Sequence, residues 1–176
     1  RKKIFNSKGI LFWITGISGS GKTSIAKKIF KKILKYYGPT ILLSGDDLRK
    51  IFNFNGYTLN ERRILSKKFC KFAKFITDQN INLIFATVAM MHQPRLWNKK
   101  NIKNYVEIYV KSDVKKIIKA KKKKIYMNKK KENMVGIDIK PEYPKKPDII
   151  VYNKFDKSLT NISNNLFDKI NELLVR

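Results

Sequence analysis

The sequence predicts an α/β fold in which a mostly parallel sheet of about five strands carries helices on both faces. Two observations predict it. Short apolar runs alternate with segments of helical spacing, and a chain of 176 residues suits one domain with one core. Hydrophobic residues make up 43% of the chain, which is enough to fill such a core. No apolar run reaches the roughly 20 residues that span a bilayer, so we expect no membrane segment.

The first predicted unit is a strand, a helix and a second strand. Residues 10–15 form a continuous apolar run, as expected of a strand that is buried on both faces. Residues 22–36 place isoleucines along one stripe with lysines opposite, which is typical of an amphipathic helix. Gly38-Pro39 ends that helix, and residues 40–43 form a second short strand.

The middle of the chain predicts one long helix followed by two strands. Thr58 to Glu61, with the sequence Thr-Leu-Asn-Glu, forms a capping box that begins a helix ending at about Asp78. Residues 81–88 and 105–110 are apolar segments of strand length, and they are the third and fourth predicted strands.

The last part of the chain predicts a helix, a fifth strand and a final helix. Ser112-Asp113 can cap a helix that runs into the lysines near position 124. Residues 148–152 form the fifth strand, and Ser158 begins an amphipathic helix whose apolar residues continue to Leu173.

A lysine-rich segment, at about residues 111–146, lies between the predicted fourth and fifth strands. It ends in the proline-rich sequence PEYPKKP, and we interpret it as a helix followed by a mobile loop rather than as a second domain. The ordinary interpretation of Lys121–Lys124 is a solvated helix face. The sharper alternative is a lid that closes over bound phosphates.

The segment from Gly16 to Thr23, GISGSGKT, matches the pattern G-x-x-x-x-G-K-S/T at every fixed position. Glycines let backbone N–H groups point into one concavity, and the N-terminus of the following helix adds a positive end. Lys22 can reach the β- and γ-phosphates, and Thr23 can ligate Mg²⁺. Because the motif lies between a predicted strand and a predicted helix, it predicts a P-loop NTPase fold with an ATP site. The predicted ATP-binding residues are Gly16, Ile17, Ser18, Gly19, Ser20, Gly21, Lys22 and Thr23.

A pair of acids follows the second predicted strand in the segment Ser44–Arg49, SGDDLR. In an open α/β sheet this segment emerges at the same edge as the phosphate loop. Asp46 and Asp47, with Arg49, can hold Mg²⁺, orient an acceptor hydroxyl and neutralise an anionic substrate. The alternative is that Asp46 or Asp47 caps a helix. The two interpretations are compatible if one acid caps the helix while the other takes part in catalysis.

From about Gly9 to Asn153 the chain resembles the adenylyl-sulfate kinases, P-loop enzymes that phosphorylate the ribose 3′-hydroxyl of adenylyl sulfate. The matching segments, in family order, are GISGSGKT, GDDLRK, GYTLNER, YVEIYV and VGIDIKPEYPKKPDIIV.

This resemblance implies a single P-loop kinase domain over residues 1–176 that uses ATP and Mg²⁺. Asp46 would be the catalytic acid near the metal and the acceptor hydroxyl. The resemblance also implies that Arg49, Arg62 and Arg95 contact the substrate, that the segment after Lys111 is the lid, and that the protein forms a homodimer.

The chain departs from the family pattern only in the acceptor pocket and the lid, so donor chemistry is retained while the acceptor stays open. The replaced family residues are an Asp at Ser44, Glu-Asn at Ile64-Leu65, I-S-P-Y/F at Val88–Met91, Arg-Asp around Ala120-Lys121 and a stacking Phe near Met134. The first expected acceptor is adenylyl sulfate, for sulfate assimilation. Kinases of cytidine-diphosphate-linked phosphoramidate, in bacterial capsule synthesis, resemble the chain around T-V-A-M, W-N-x-x-N-I and N-M-V-G-I-D. Their substrate is therefore the alternative acceptor.

The net charge of +27 raises a rival hypothesis, because such a charge attracts polyanions of every kind. Of the 40 basic residues 34 are lysines, as A/T-rich codon usage favours, but codon usage does not explain why there are only 13 acids. A nucleic-acid-binding NTPase is therefore one rival, and an inactive nucleotide-binding pseudokinase is another. Patterns of helix-turn-helix, RNA-recognition and zinc modules are missing from the sequence. We expect a small-molecule nucleotide substrate and no membrane partner, with nucleic acid less favoured although the charge permits it.

The expected location is the cytoplasm. Cys70 is the single cysteine, so internal disulfides and cysteine-based zinc sites are excluded, which fits a reducing compartment. The first residues, RKKIFNSKG, lack the apolar region of a secretory signal.

Overall fold

Seven strands and six helices form the described part of the chain, which is a computed structural model describing residues 3–4, 8–120, 133 and 135–175. The strands are β1 (Lys3–Ile4), β2 (Ile10–Thr15), β3 (Thr40–Ser44), β4 (Asn82–Thr87), β5 (Asn104–Lys111), β6 (Ile149–Tyr152) and β7 (Leu174–Val175). The helices are α1 (Lys22–Tyr37), α2 (Gly45–Ile51), α3 (Leu59–Asp78), α4 (His92–Asn101), α5 (Val114–Lys119) and α6 (Leu159–Leu173).

The central sheet has the strand order β3-β4-β2-β5-β6, and all of its strands run parallel. This arrangement confirms the predicted fold class and places each predicted strand in the sheet. A separate two-stranded parallel pair, β1 with β7, was not predicted. Each of those strands has only two residues, too few to form a recognisable pattern.

Helices cover both faces of the central sheet. Phe12 and Ile14 of β2 pack on one face with residues of α1 and α6, whereas Leu11 and Trp13 pack on the other with residues of α3. Because β2 lies in the middle of the sheet, all six of its residues are buried. This explains why residues 10–15 are continuously apolar rather than alternating.

Two helices of the structure were not predicted as such. α2 begins directly after β3, where a helix was expected only as the capping alternative, and α4 begins at His92. His92 is half-buried at the start of α4. The helix predicted after Asp113 is present as α5, and its predicted continuation through Lys121–Lys124 lies outside the described residues, as does Met134.

The carboxyl ends of the central strands lie together at one edge of the sheet. β2 and β4 are in register at Thr15 and Thr87, and Ser44 of β3 is in register with Ala86 of β4. The loops that leave these ends therefore meet above the sheet. In the part of the chain that the structure describes, no helix combines the length and apolar character needed to cross a membrane.

Candidate active site

The phosphate-binding loop connects β2 to α1, and its shape depends on glycine. Gly21 has a φ of 93°, in the left-handed region that favours glycine. A Cβ at this position would lie 2.7 Å from Nδ2 of Asn153. The Asn153 amide also donates a hydrogen bond to the Ser20 carbonyl over 2.9 Å. Asn153, which directly follows β6, therefore stabilises the loop although it lies outside the motif.

The loop presents positive charge and N–H groups to one cavity. Lys22 is only 6% exposed, and its ammonium donates to the Ile17 carbonyl at 2.7 Å. Within α1, which is described in full, the first turn has no acid and no side-chain cap. Its N–H groups are thus available to an anion. Thr23, on the same turn, is exposed to the cavity.

The two acids after β3 have separate roles. Ser44 caps α2, and the Asp47 carboxylate accepts hydrogen bonds from the Ser44 hydroxyl at 2.7 Å and from its N–H at 2.8 Å. These hydrogen bonds hold the pKa of the Asp47 carboxyl below its ordinary value. Asp46 has no hydrogen bond or ion pair with any described residue. The helix of the capping alternative is therefore present, but its N-cap is Ser44 rather than an acid. Asp47 completes the capping box, and Asp46 takes no part in it.

Two cavities adjoin at this edge of the sheet. The smaller, of about 510 Å³, is lined by the phosphate loop, Asn153 and Phe155. The larger, of about 830 Å³, is lined by α2, α3 and the segment from Val135 to Glu142. The residues that line both cavities are Ser18, Gly45, Asp46, Thr87 and Val88. Asp46 therefore stands at the opening between them.

Two of the three predicted substrate arginines line the larger cavity, and both lie close to the ring of Tyr57. The guanidinium of Arg49 lies 4.3 Å from the Tyr57 ring centre and that of Arg62 lies 5.4 Å from it. Arg49 donates to the Gly56 carbonyl at 2.7 Å, and Arg62 donates to the Asn133 carbonyl at 3.0 Å. These bonds fix two cations around one aromatic ring. Burial, with the nearby Arg49, lowers the pKa of Arg62 from its ordinary value.

Arg95 is placed differently from the expectation. It is 4% exposed and is not among the described residues that line either cavity. Its guanidinium pairs with Glu107 at 3.2 Å and donates to the backbone carbonyl of Glu142 at 2.6 Å. The Glu142 carboxylate in turn accepts from the N–H of His92. Arg95 thus supports the wall of the larger cavity from behind.

Two of the departures from the family pattern bring apolar residues to the wall of the larger cavity. Leu65 and the run from Val88 to Met91 line it, while Ile64 is exposed outside it. The family pattern has polar residues at Leu65 and within the run, so this wall is more apolar than the pattern implies. An acceptor bound in this cavity would therefore turn a different face to this wall than the family pattern implies.

Some residues at the site were not assigned from the sequence. Thr87, Asn153 and Phe155 all line the smaller cavity from the ends of strands or just beyond them. Their position at the carboxyl ends of parallel strands is the one feature that could have found them. Tyr57 lies in the matching segment GYTLNER, but no role was predicted for it.

Comparisons with known proteins identify the family of the chain. The family described as adenylylsulphate kinase matches residues 8–152. The chain is 35% identical over 169 residues to the cytidine diphosphoramidate kinase of Campylobacter jejuni, covering 94% of each chain. It is 33% identical over 161 residues to the adenylyl-sulfate kinase of Clostridium acetobutylicum, covering 86% of this chain and 78% of that one.

A solved structure shows the same fold. The Mycobacterium tuberculosis APS kinase in complex with AMPPNP and APS has a TM-score of 0.83 to this chain at 22% identity, covering 93% of this chain and 98% of that one. Together with the relatives, it confirms the resemblance found in the sequence.

Proposed function

This chain belongs to the adenylylsulphate kinase family, and on that premise we propose that it transfers the γ-phosphate of ATP to the ribose 3′-hydroxyl of a nucleotide-linked small acid. The observation that carries the proposal is the pair of cavities that meet at Asp46. The smaller cavity fits phosphates, and the larger cavity fits an anionic aromatic compound. Its relatives from Campylobacter jejuni and Clostridium acetobutylicum are named kinases, so the chain is a phosphotransferase.

The phosphate loop is the donor site. The N–H groups at the start of α1 face the phosphates, and Lys22 exchanges its bond to the Ile17 carbonyl for one to a phosphate oxygen. Thr23 and Asp46 offer a hydroxyl and a carboxylate oxygen, which are donors that Mg²⁺ prefers, so the residues fit this ion. When bound, Mg²⁺ neutralises charge on the phosphates.

Asp46 is the proposed base. Its carboxylate accepts the proton of the acceptor hydroxyl as the acceptor oxygen bonds to the γ-phosphorus. The bond from that phosphorus to the β,γ-bridging oxygen breaks, which leaves ADP and a 3′-phosphorylated product. The placement of Asp46 at the opening between the cavities supports this role.

Arg49 and Arg62 are the proposed contacts to the anionic part of the acceptor. Their guanidiniums are both held close to the Tyr57 ring, and each keeps N–H groups beyond those used on the backbone. For Arg95 we propose an indirect role, because it positions the cavity wall rather than lining it.

Two acceptors fit this chemistry, and we propose that a cytidine-diphosphate-linked phosphoramidate is preferred to adenylyl sulfate. The relative from Campylobacter jejuni, 35% identical over 94% of the chain, bears the corresponding name. The apolar wall at Leu65 and Val88–Met91 lacks the polar residues of the adenylyl-sulfate pattern. Adenylyl sulfate is the second candidate because of the relative from Clostridium acetobutylicum, at 33%.

An acceptor screen with γ-labelled ATP tests the proposal. The arms are adenylyl sulfate, a cytidine diphosphate conjugate, free cytidine diphosphate and a DNA or RNA oligonucleotide. We expect labelled nucleotide conjugate and unlabelled oligonucleotide. Label on the oligonucleotide alone would replace the proposal with a polynucleotide kinase, and ATP binding without transfer to any arm would favour a pseudokinase.

Assembly and location remain predictions. A homodimer is proposed from the family resemblance, whereas a chain of similar fold from Thiobacillus denitrificans, 18% identical, is named a hexameric APS kinase. Light scattering of the purified protein decides between these assemblies. We also propose the cytoplasm as the location, which microscopy of a tagged chain tests.

A further inference from the structure

Thr87 is a buried residue whose hydroxyl has no assigned role. It ends β4 at the carboxyl edge of the sheet and is only 5% exposed. Within the described residues its hydroxyl has no hydrogen-bond partner. Because Thr87 lines both cavities, its hydroxyl is open to them, and it is positioned to donate a hydrogen bond to a ligand there.

The position of Thr87 identifies the ligand. Thr87 lines both cavities together with Asp46, and a Cβ on Gly45 would lie 3.0 Å from the Thr87 Oγ1. The hydroxyl therefore faces the residue next to Asp46. A group that lies across both cavities is therefore bordered by these side chains, together with Ser18 and Val88.

Thr15 provides an internal comparison. It is the register partner of Thr87 on the neighbouring strand β2, and it is fully buried. Its hydroxyl lies 3.5 Å from the Ala89 carbonyl and 3.5 Å from the Met90 sulfur, and it lines neither cavity as far as the described residues define them. Of two aligned threonines, only Thr87 faces the site.

We propose that the Thr87 hydroxyl donates a hydrogen bond to a peripheral oxygen of the γ-phosphoryl group while that group moves from ADP to the acceptor. The inference rests on the proposed function. The ionised Asp46 carboxylate has no proton to donate, and Lys22 reaches the phosphates from the donor side. Thr87 is a rigid donor at the opening itself, since its side chain is β-branched and its strand lies inside the sheet. Its proton stays on the hydroxyl, because the acceptor proton goes to Asp46.

The test is Thr87→Val, which keeps the shape and removes the hydroxyl. A hydrogen bond to a charged group made mainly during transfer corresponds to a loss of about 10- to 100-fold in kcat, with KM for ATP and acceptor within about threefold. Thr87→Ser should restore most of the rate. Thr15→Val, the matched control, should change kcat by no more than about threefold. A Thr87→Val enzyme with wild-type kcat would overturn the inference.

A binding measurement separates this inference from the proposed function. ADP with aluminium fluoride and Mg²⁺ mimics the phosphoryl group in transfer and needs no acceptor. Thr87→Val should weaken this mimic about 10-fold or more while ADP alone binds as in the wild type. Equal weakening of ADP would show a structural defect and overturn the inference. If the wild type phosphorylates no acceptor, the proposed function fails, and the binding of the mimic still decides the role of Thr87.

Discussion

Asp46 and Asp47 are neighbouring acids in one helical turn, and the structure predicts different consequences for replacing each by asparagine. Asp47 closes the capping box of α2 through hydrogen bonds of 2.7 and 2.8 Å with Ser44. Asp46 has no such bond among the described residues and stands between the two cavities. Asp47→Asn should therefore change stability, and Asp46→Asn should change catalysis.

The magnitude for Asp47 follows from the capping box. Loss of such a cap costs about 1 kcal/mol of unfolding free energy, which lowers Tm by about 2–4 °C in a chain of this size. Because the folded-state pKa of Asp47 is lowered, its contribution is complete above the unfolded-state pKa of about 3.9. The contribution is lost as the pH falls through the lower folded-state value. Asp47→Asn should remove this part of the pH dependence.

The magnitude for Asp46 follows from its proposed chemistry. Loss of a general base lowers rates by about 10²- to 10⁴-fold, so Asp46→Asn should lower kcat within that range. ATP binding should remain, because the loop, Lys22 and α1 are unchanged, and Tm should stay within about 1 °C of the wild type.

The assay is phosphoryl transfer to the best acceptor of the screen, with thermal unfolding followed by circular dichroism on the same samples. Equal loss of kcat in both variants would refute the separation of roles. Full activity of Asp46→Asn would refute the assignment of Asp46 as the base.

Three further predictions concern the loop, the core and the acceptor cavity. Gly21→Ala should weaken ATP binding at least about tenfold in calorimetry, because its Cβ meets Asn153 at 2.7 Å. Gly38 has a similar φ of 91°, but a Cβ there would meet open space, so the Gly38→Ala protein should bind ATP as the wild type does. A loss of ATP affinity in Gly38→Ala would show that backbone strain alone is the cause. Burial raises the pKa of the Cys70 thiol to about 12, so a disulfide reagent should label it at pH 8 only after unfolding, and rapid labelling of the native protein would contradict the packing. Arg62→Gln should raise KM for the acceptor about tenfold without changing KM for ATP, and an equal rise in both would place this arginine elsewhere.

The strands and the long helix were predictable because their causes are local. β2 is buried on both faces and must be apolar throughout, and residues 10–15 show this directly. The start of α3 was predicted to the residue, since Thr58 and Glu61 form a capping box whose hydrogen bonds span only three positions.

The missed helices lack an apolar stripe of readable length. α2 has seven residues, fewer than two full helical turns of pattern. In α4 the buried residues are Pro94, Arg95 and Asn98, so hydrophobic periodicity does not mark its inner face. Arg95 can be buried because the Glu107 carboxylate pairs with it and the Glu142 backbone carbonyl accepts a hydrogen bond from it, and neither partner is local to α4.

The residues of the candidate site also divide into those that a local motif predicts and those that depend on remote parts of the chain. The phosphate loop is one contiguous motif, so its residues were found together. Thr87 and Asn153 come from different strands, and only the sheet order brings them beside the loop. Asp46 and Asp47 could not be told apart in sequence, because the distinction depends on which carboxylate turns back to Ser44.

The site of phosphorylation on the acceptor tests the central claim most directly. The product made by the wild-type protein from Mg·ATP and the preferred acceptor of the screen is analysed by phosphorus–proton correlated NMR. We predict a new phosphate monoester coupled to the ribose H3′ proton, formed together with one ADP per product. A phosphate coupled to another ribose proton, or ADP formed without any new ester, would contradict the account.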